Sequence, residues 1–503
     1  MNKKYFSRIN LKTLTTFASF ILISIFGVLS ATAVAIQSND TIKAYKLLLK
    51  ADSLTSSAKY DSANFYYELA AESYIKVAKS NSLLSMACTN RSIHCKNKKG
   101  WNLAIYQSQP DLAIEFLTIA MKNRGKKGGT VIARTYNNLG VAYTIAGNYN
   151  EALNAYFNSL SIYNQVFGQI HKSIADCNNN IGLAYFRKGE LKKAVKYINS
   201  ALLVTERLIG RNNKEYFSTI NNLGVIYKAY GDYDKALDCF NSALTIYNNE
   251  TSNLDKLSLA FIHNNIGTIY LARGDYFKAV QYFEKDLFIT LTIIEENHHE
   301  VATIYNNIGV AYFDQKNYSK AVVYFSKAYK IRSNIYQKNH PEIAQCLNNL
   351  ANVYLLDNNL KNAMKYYNKA LMIRIATLDK GHPLIANTHA NIATAYFKMD
   401  SMIMALKHQN ISLNYLKKVY GSYHPMVGND YIKLGDIFEN DKNHKVALIK
   451  YQEAIRALMN PKYKLNTLYG EVIITEQINS QKYLLEALAK KAEILDKLYE
   501  VNN

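Results

Sequence analysis

The chain has 503 residues, of which 49% are apolar and 20% are charged, and its formal net charge is +21. This apolar content excludes a globally disordered chain, and only 5 prolines exclude proline-rich and collagen-like classes and favour long helices. The basic residues are scattered and the cysteines are odd in number, so neither a nucleic-acid partner nor a disulfide framework is expected.

The first predicted element is an export signal at residues 1–35. A basic head at 3–12 precedes an apolar stretch at 14–29 and a small-residue end, Ala31 to Ala35, with two A-x-A sites. These three parts are typical of a secretory signal, so we expect cleavage after Ala33 or Ala35 and a periplasmic or extracellular protein. The alternative is an uncleaved membrane anchor formed by residues 13–36, which is long enough to span a bilayer.

Residues 36–130 are predicted to form two degenerate helix pairs and a loop. An alanine, a large apolar residue four positions on and another alanine three further on occur twice, beginning at Ala63 and at Ala113. This spacing places the three side chains on one face of a helix. The segment 122–130 is rich in glycine and basic residues and is predicted to be a loop. It lacks the spacing of a phosphate-binding loop.

Residues 131–460 contain eight copies of a repeat of about 42 residues. A phrase such as YNNLGVAY recurs, and its small residue returns after 42 residues in six cases and after 43 in one. An alanine stands twelve residues after each small residue, and a large residue, Gln409 in one copy, stands sixteen after it. Each repeat is therefore predicted to form two helices that cross closely at the small residue. The small residues are Gly140, Gly182, Gly224, Gly267, Gly309, Ala351, Ala393 and Gly435.

This pattern resembles the tetratricopeptide repeat, in the longer form found in kinesin light chains. The usual tryptophan of the first helix is missing, and residues such as Tyr136, Tyr305, Leu347 and Tyr431 stand there instead. The resemblance implies an all-α fold, a right-handed α-solenoid of stacked antiparallel helix pairs. It also implies a concave groove that binds a protein or an extended peptide.

Five histidines precede the small residue by eleven positions, and three of them are followed by proline. Equivalent atoms of stacked helix pairs lie about 8–10 Å apart, too far to share one metal ion. We therefore interpret these histidines as helix starts, with proline in the first turn. No metal and no cofactor are expected.

An asparagine stands two residues before the small residue in seven of the repeats. Two residues correspond to about 200° of rotation on a helix, so this column is predicted to face away from the partner helix, into the groove. Its amides would bind the backbone of an extended peptide, as the resemblance also implies. The alternative is that asparagines order the stack, a role expected rather of the neighbouring column at 137, 179 and 306. The predicted groove residues are Asn138, Asn180, Asn222, Asn265, Asn307, Asn349 and Asn391.

Residues 461–503 are predicted to form a helical cap, with a helix near 477–499. Its phrase LLEALAKKAEILDKLYE resembles the segment that follows the repeats in bacterial proteins with a caspase-like CHAT domain. No catalytic motif is present, so a non-enzymatic, exported scaffold is predicted. The alternative is a regulatory or sensory arm, anchored in a membrane, whose effector is separate. The identity of the partner and the oligomeric state do not follow from the sequence.

Overall fold

The computed structural model describes residues 39–80, 85–122, 129–249, 254–458 and 474–502, which form α-helices and one π-helix and contain no strand. Contacts divide the chain into two compact units, 1–226 and 227–503. The helices are α1 Asn39–Ser56, α2 Tyr60–Ser80, α3 Ser85–Trp101, α4 Pro110–Lys122, α5 Gly129–Ile145, α6 Tyr149–Phe167, α7 Lys172–Lys188, α8 Leu191–Ile209, α9 Lys214–Tyr230, α10 Tyr233–Asn249, α11 Lys256–Ala272, α12 Tyr276–Leu291, α13 His299–Asp314, α14 Tyr318–Ile335, α15 Pro341–Leu356, α16 Leu360–Thr377, α17 Pro383–Lys398, α18 Met402–Tyr420, α19 Pro425–Asn440, α20 His444–Leu458 and α21 Ile474–Asn502.

Consecutive helices pack as pairs, and each unit is a stack of such pairs. In the first unit α1 to α8 form four pairs, and in the second α11 to α20 form five, with α21 packed on the last. The all-α class and the repeated helix pairs predicted from the sequence are confirmed. Among the described helices, none combines the length and the apolarity that crossing a membrane requires. The predicted export signal lies outside the described residues.

The small residues let the two helices of a pair approach closely. A Cβ added to Gly309 would lie 2.7 Å from Phe325 Cδ1, and one added to Gly182 would lie 2.6 Å from Ile198 Cγ1. Because the residue sixteen positions on fills the space where that Cβ would stand, the helix axes can cross at short distance. In the first and second units alike, glycines of this column lie where the two helices of a pair cross.

In the turn inside each repeat, the residue seven positions after the small residue has a left-handed backbone conformation. Glycine occupies it in four repeats, with φ between 78° and 87°, a conformation that costs glycine little. Later repeats adopt the same backbone with other residues, Lys316 at φ 63° among them. The same turn is therefore formed even where the sequence offers no glycine. The four non-glycine residues are Lys316, Asn358, Asp400 and Lys442.

The recurring histidines are N-caps of the first helices. The backbone N–H of Ser173 donates to His171 Nδ1 at 3.1 Å, and that of Leu384 donates to His382 Nδ1 at 3.1 Å. A cap satisfies one of the helix-start N–H groups that lack an intrahelical partner. The interpretation as helix starts is confirmed for all five. They are His171, His298, His340, His382 and His424.

The degenerate pairs at the N-terminus contain an irregularity that the sequence pattern concealed. Gly100 is the small residue of α3, because a Cβ there would lie 2.6 Å from Leu117 Cγ, seventeen positions on instead of sixteen. The extra residue is absorbed by a π-helix, Asn102–Tyr106, directly after α3. Around it, Asn102 and Asn64 are buried and hydrogen-bonded to each other. The widened turn therefore keeps α4 in register.

Candidate functional site

The predicted asparagine column links neighbouring first helices. Asn180 Nδ2 on α7 donates to Asn137 Oδ1 on α5 at 3.0 Å, and Asn222 Nδ2 on α9 donates to Asn179 Oδ1 on α7 at 3.0 Å. In the second unit, Asn349 Nδ2 donates to Asn306 Oδ1 at 2.9 Å. The two asparagine columns thus form amide–amide hydrogen bonds between neighbouring repeats within each unit, and we call these bonds the asparagine ladder.

The remaining asparagines of the column differ in their hydrogen-bond partners. Asn391 Nδ2 donates to Asn352 Oδ1, and Asn138 Nδ2 donates to the backbone oxygen of Asn97. Asn265 is 4% exposed and its Oδ1 accepts a hydrogen bond from Lys228 Nζ at 2.6 Å. Asn307 is half-buried, and the described residues give it no hydrogen-bond partner. The sequence analysis expected the neighbouring asparagine column, at 137, 179 and 306, to link the first helices. In the structure both columns take part in these links.

The hydrogen bond between repeats uses only part of the hydrogen-bonding capacity of an asparagine side chain. An asparagine has two N–H donors and an oxygen with two lone pairs, and one N–H is used in each bond. Asn180, Asn222 and Asn349 are half-buried rather than enclosed. Each therefore keeps a donor and an acceptor that a bound chain could reach. Contact of the column with a partner stays a prediction.

A cavity of about 590 Å³ lies between α7 and α9, beside the ladder. It is lined by the apolar side chains of Ala175, Leu208 and Ile209 and by the ladder residue Asn179. Leu208 and Ile209 are 40% and 55% exposed. A recess lined by both apolar and polar side chains suits a side chain of a bound peptide.

Charged groups of both signs surround this cavity. Lys172 Nζ forms an ion pair with Glu215 across the gap between α7 and α9, and the hydrogen bond from Lys172 lowers the pKa of the Glu215 carboxyl. Desolvation within the cavity raises the pKa of the Asp176 carboxyl. Lys214 and His171 complete the wall. The cavity lining thus offers donors and acceptors to a polar backbone without one dominant sign.

Two further recesses flank α12 in the second unit. One, of about 850 Å³, includes Phe277, and the other, of about 490 Å³, includes Phe288, while Gln281 and Glu284 line both. The two phenylalanines are 67% and 73% exposed. They lie on a second helix, away from the asparagine ladder. Sequence reasoning did not single them out, although their spacing of eleven residues places them on one helical face.

The described residues hold no set of three metal-ligating side chains. The thiols there are buried and free, and burial raises the pKa of Cys95 to about 12 and that of Cys177 to about 11. A buried thiol that stays protonated is a poor nucleophile. The chemistry offered by this surface is hydrogen bonding and apolar contact.

The sequence profile described as "Tetratricopeptide repeat" matches residues 131–191, 173–249, 257–333, 300–376 and 384–460. These matches cover more than half of the chain, which therefore belongs to the tetratricopeptide repeat family. Proteins of this class are repeat scaffolds, typically without catalytic activity, that mediate protein–protein interaction. A search of curated proteins gave no significant match.

Solved structures share this fold. The apo form of the quorum sensor NprR from B. thuringiensis is 13% identical, with a TM-score of 0.53 over 74% of this chain and 98% of that one. BtubC (BKLC) from P. vanneervenii is 22% identical over 47% of this chain and 94% of its own, with a TM-score of 0.40. Kinesin light chain repeats from Podosopora anserina are 16% identical over 41% and 97%, with a TM-score of 0.37.

Proposed function

We propose that this repeat protein binds an extended peptide, or an extended segment of a partner protein, on the surface formed by its first helices α5, α7 and α9, the first-helix face. The observation that carries the proposal is the asparagine ladder beside the 590 Å³ cavity between α7 and α9. Asparagine is a weak helix former, and its repetition in mid-helix has a local cost. The inter-repeat bonds offset part of that cost, and the unused amide groups suit the N–H and C=O groups of a peptide backbone.

The cavity would give the interaction its sequence preference. Backbone hydrogen bonds to the ladder do not distinguish one peptide from another, whereas a recess lined by both apolar and polar side chains accepts a side chain of limited size. Lys172, Glu215 and Asp176 at its wall would favour a side chain with an apolar stem and a polar end. The chemical class of ligand is therefore a short extended peptide with such a residue. NprR, named a quorum sensor, carries the same fold at an identity that supports the fold alone.

The test is selection of peptides from a random displayed library, followed by calorimetric titration of the best binder. Ser218 is exposed and lines the cavity, so Ser218→Trp should fill it and weaken binding at least tenfold. The matched control is Asn199→Trp, at an exposed position on the second helix α8, which should leave binding unchanged. Equal affinities of the two variants would contradict the proposed site.

We propose further that the mature protein works outside the cytoplasm. The support is the basic head, apolar stretch and A-x-A end of residues 1–35, which together favour a cleaved signal. N-terminal sequencing of the protein recovered from expressing cells should begin at Val34 or Ile36. A chain that still begins at Met1 and fractionates with membranes would favour the anchored regulatory arm instead.

A further inference from the structure

The last helix, α21, carries leucines on a face that the described part of the chain leaves exposed. Leu485, Leu488 and Leu495 are 70%, 45% and 47% exposed, and Ala492 between them is exposed as well. Among the residues of this helix whose side chains the structure describes, Ala487 and Ile494 are fully buried, together with the repeat residues Tyr451 and Ala447.

α21 is held to its unit by a different face. Lys490 forms an ion pair with Asp436 at 2.7 Å, Lys497 forms one with Glu439 at 2.7 Å, and Lys491 Nζ donates to Gln452 at 2.6 Å. At 100° per residue the leucine column lies about 120° around the helix from the buried Ala487 and Ile494. The leucines can therefore be covered without detaching α21 from the repeats.

The spacing of the exposed column is that of a coiled-coil seam. Positions 485, 488, 492 and 495 follow intervals of three, four and three residues, the a and d positions of a heptad. A helix with such a seam packs against another helix with the same repeat. On one edge of the seam Leu484 packs into the core and Lys491 is engaged with Gln452. The other edge carries Lys482 and Asp496, both exposed.

We propose that α21 pairs in antiparallel orientation with α21 of a second copy of this chain. In that register Leu485 of one copy meets Leu495 of the other, and Leu488 meets Ala492. The exposed edges then face each other, so that Lys482 of each copy lies beside Asp496 of its partner, an opposite-charge pair formed twice. A parallel pairing would instead need the edge that already packs against the repeats. The two-heptad seam is short, so the association is weak, in the micromolar range.

Zero-length carbodiimide cross-linking of the full chain tests this pairing directly. Lys482 and Asp496 are about 21 Å apart within one helix, so an amide joining them can form only between two copies. We expect a cross-linked dimer whose digest contains the 482–496 linkage, increasing with concentration between about 1 and 200 µM. A dimer lacking that linkage, or the absence of dimer at the highest concentration, would overturn the proposal.

Two sets of variants complete the test. Leu488→Glu/Leu495→Glu should abolish the dimer in sedimentation velocity while leaving the helical circular dichroism and the melting curve unchanged, and Phe288→Glu, at an exposed position on α12, should leave the dimer intact. Lys482→Asp and Asp496→Lys should each weaken association several-fold, and the double exchange should restore it. Persistence of the dimer in the leucine variant, or failure of the exchange to restore it, would refute the antiparallel seam.

Discussion

One turn position is occupied by glycine in the early repeats and by other residues in the later ones, although its backbone conformation is the same in both. Lys316 adopts φ 63° at the turn position where Gly274 stands one repeat earlier with φ 78°. A side chain other than glycine costs about 1–2 kcal/mol in this left-handed conformation, so a strained turn is kept because the helices on both sides hold it. Asn358 adopts φ 57°, and asparagine tolerates this region better.

Lys316→Gly should therefore stabilise the protein. The relief of strain exceeds the added freedom of glycine in the unfolded chain, about 0.4–1 kcal/mol, and leaves a net gain of about 0.5–1 kcal/mol in the free energy of unfolding. Asn358→Gly should gain less. Thermal or urea unfolding measures both, with Lys330→Gly in the exposed helix interior of α14 as a control that should destabilise. A loss of stability for Lys316→Gly would contradict the strained turn.

A buried carboxyl stands where most repeats have alanine. Asp286 is 3% exposed, accepts hydrogen bonds from Asn264 Nδ2 at 2.9 Å and Thr290 Oγ1 at 3.0 Å, and burial raises its pKa to about 6. In the unfolded chain its pKa is about 3.9. The native state therefore binds this proton more tightly, so that folding is favoured as the pH falls from about 6 towards 4 and is opposed at pH 7.

Asp286→Asn should remove this pH dependence. At pH 7 the variant should be more stable than the parent protein by an amount on the order of 2 kcal/mol, because no charge is buried. The difference should shrink between pH 6 and pH 4, where the parent carboxyl is protonated. Urea unfolding of both proteins at pH 7, 6, 5 and 4 gives the comparison. A constant difference across this range would mean that Asp286 does not titrate with a raised pKa.

At the scale of helices, the asparagine ladder predicts unequal effects of equal substitutions. Asn349 on α15 donates to Asn306 on α13, whereas Asn307 has no partner among the described residues. Asn349→Ala removes a hydrogen bond worth about 0.5–1.5 kcal/mol, partly offset by the better helix propensity of alanine. Asn307→Ala removes none and should leave the melting temperature level or slightly raised. Equal losses for the two variants would contradict the ladder.

The pairing of helices was predictable from the sequence because it depends on distances within one repeat. Gly309 and Phe325, sixteen residues apart, meet across a single turn. The bond between Asn222 and Asn179 was not predictable in the same way. Rotation along one helix tells which way Asn222 points, but the offset of the neighbouring first helix decides what it meets. The π-helix at Asn102–Tyr106 was hidden for a related reason, since one inserted residue shifts the alignment of Gly100 with Leu117.

The exposed face of α21 shows another limit of pattern reading. Its leucines indicate a helix with apolar columns, yet the sequence does not say which column meets the repeats. The ion pairs of Lys490 and Lys497 with Asp436 and Glu439 fix that choice. The helical pattern therefore predicts that α21 exists. Which face of α21 meets the repeats depends on the positions of its charged partners on α19.

At the scale of the whole chain, the family is consistent with protein–protein interaction, and neither the family nor the fold decides which surface would bind a partner. Two surfaces compete: the first-helix face, with its ladder and its 590 Å³ cavity, and the outward face of α12, with exposed Phe277 and Phe288. The first combines polar groups suited to a peptide backbone with a recess for a side chain. The second offers apolar area without a repeated polar element.

Photo-cross-linking of a selected peptide to the protein, followed by mass spectrometry of the digest, decides between these surfaces. The peptide would carry a benzophenone group at successive positions, so that its path is traced along the protein. Cross-links are expected on α7 and α9, at residues such as Lys172, Asn179 and Ser218 that line the cavity. Cross-links confined to α12, at Phe277 and Phe288, would contradict the assignment of the first-helix face as the binding surface.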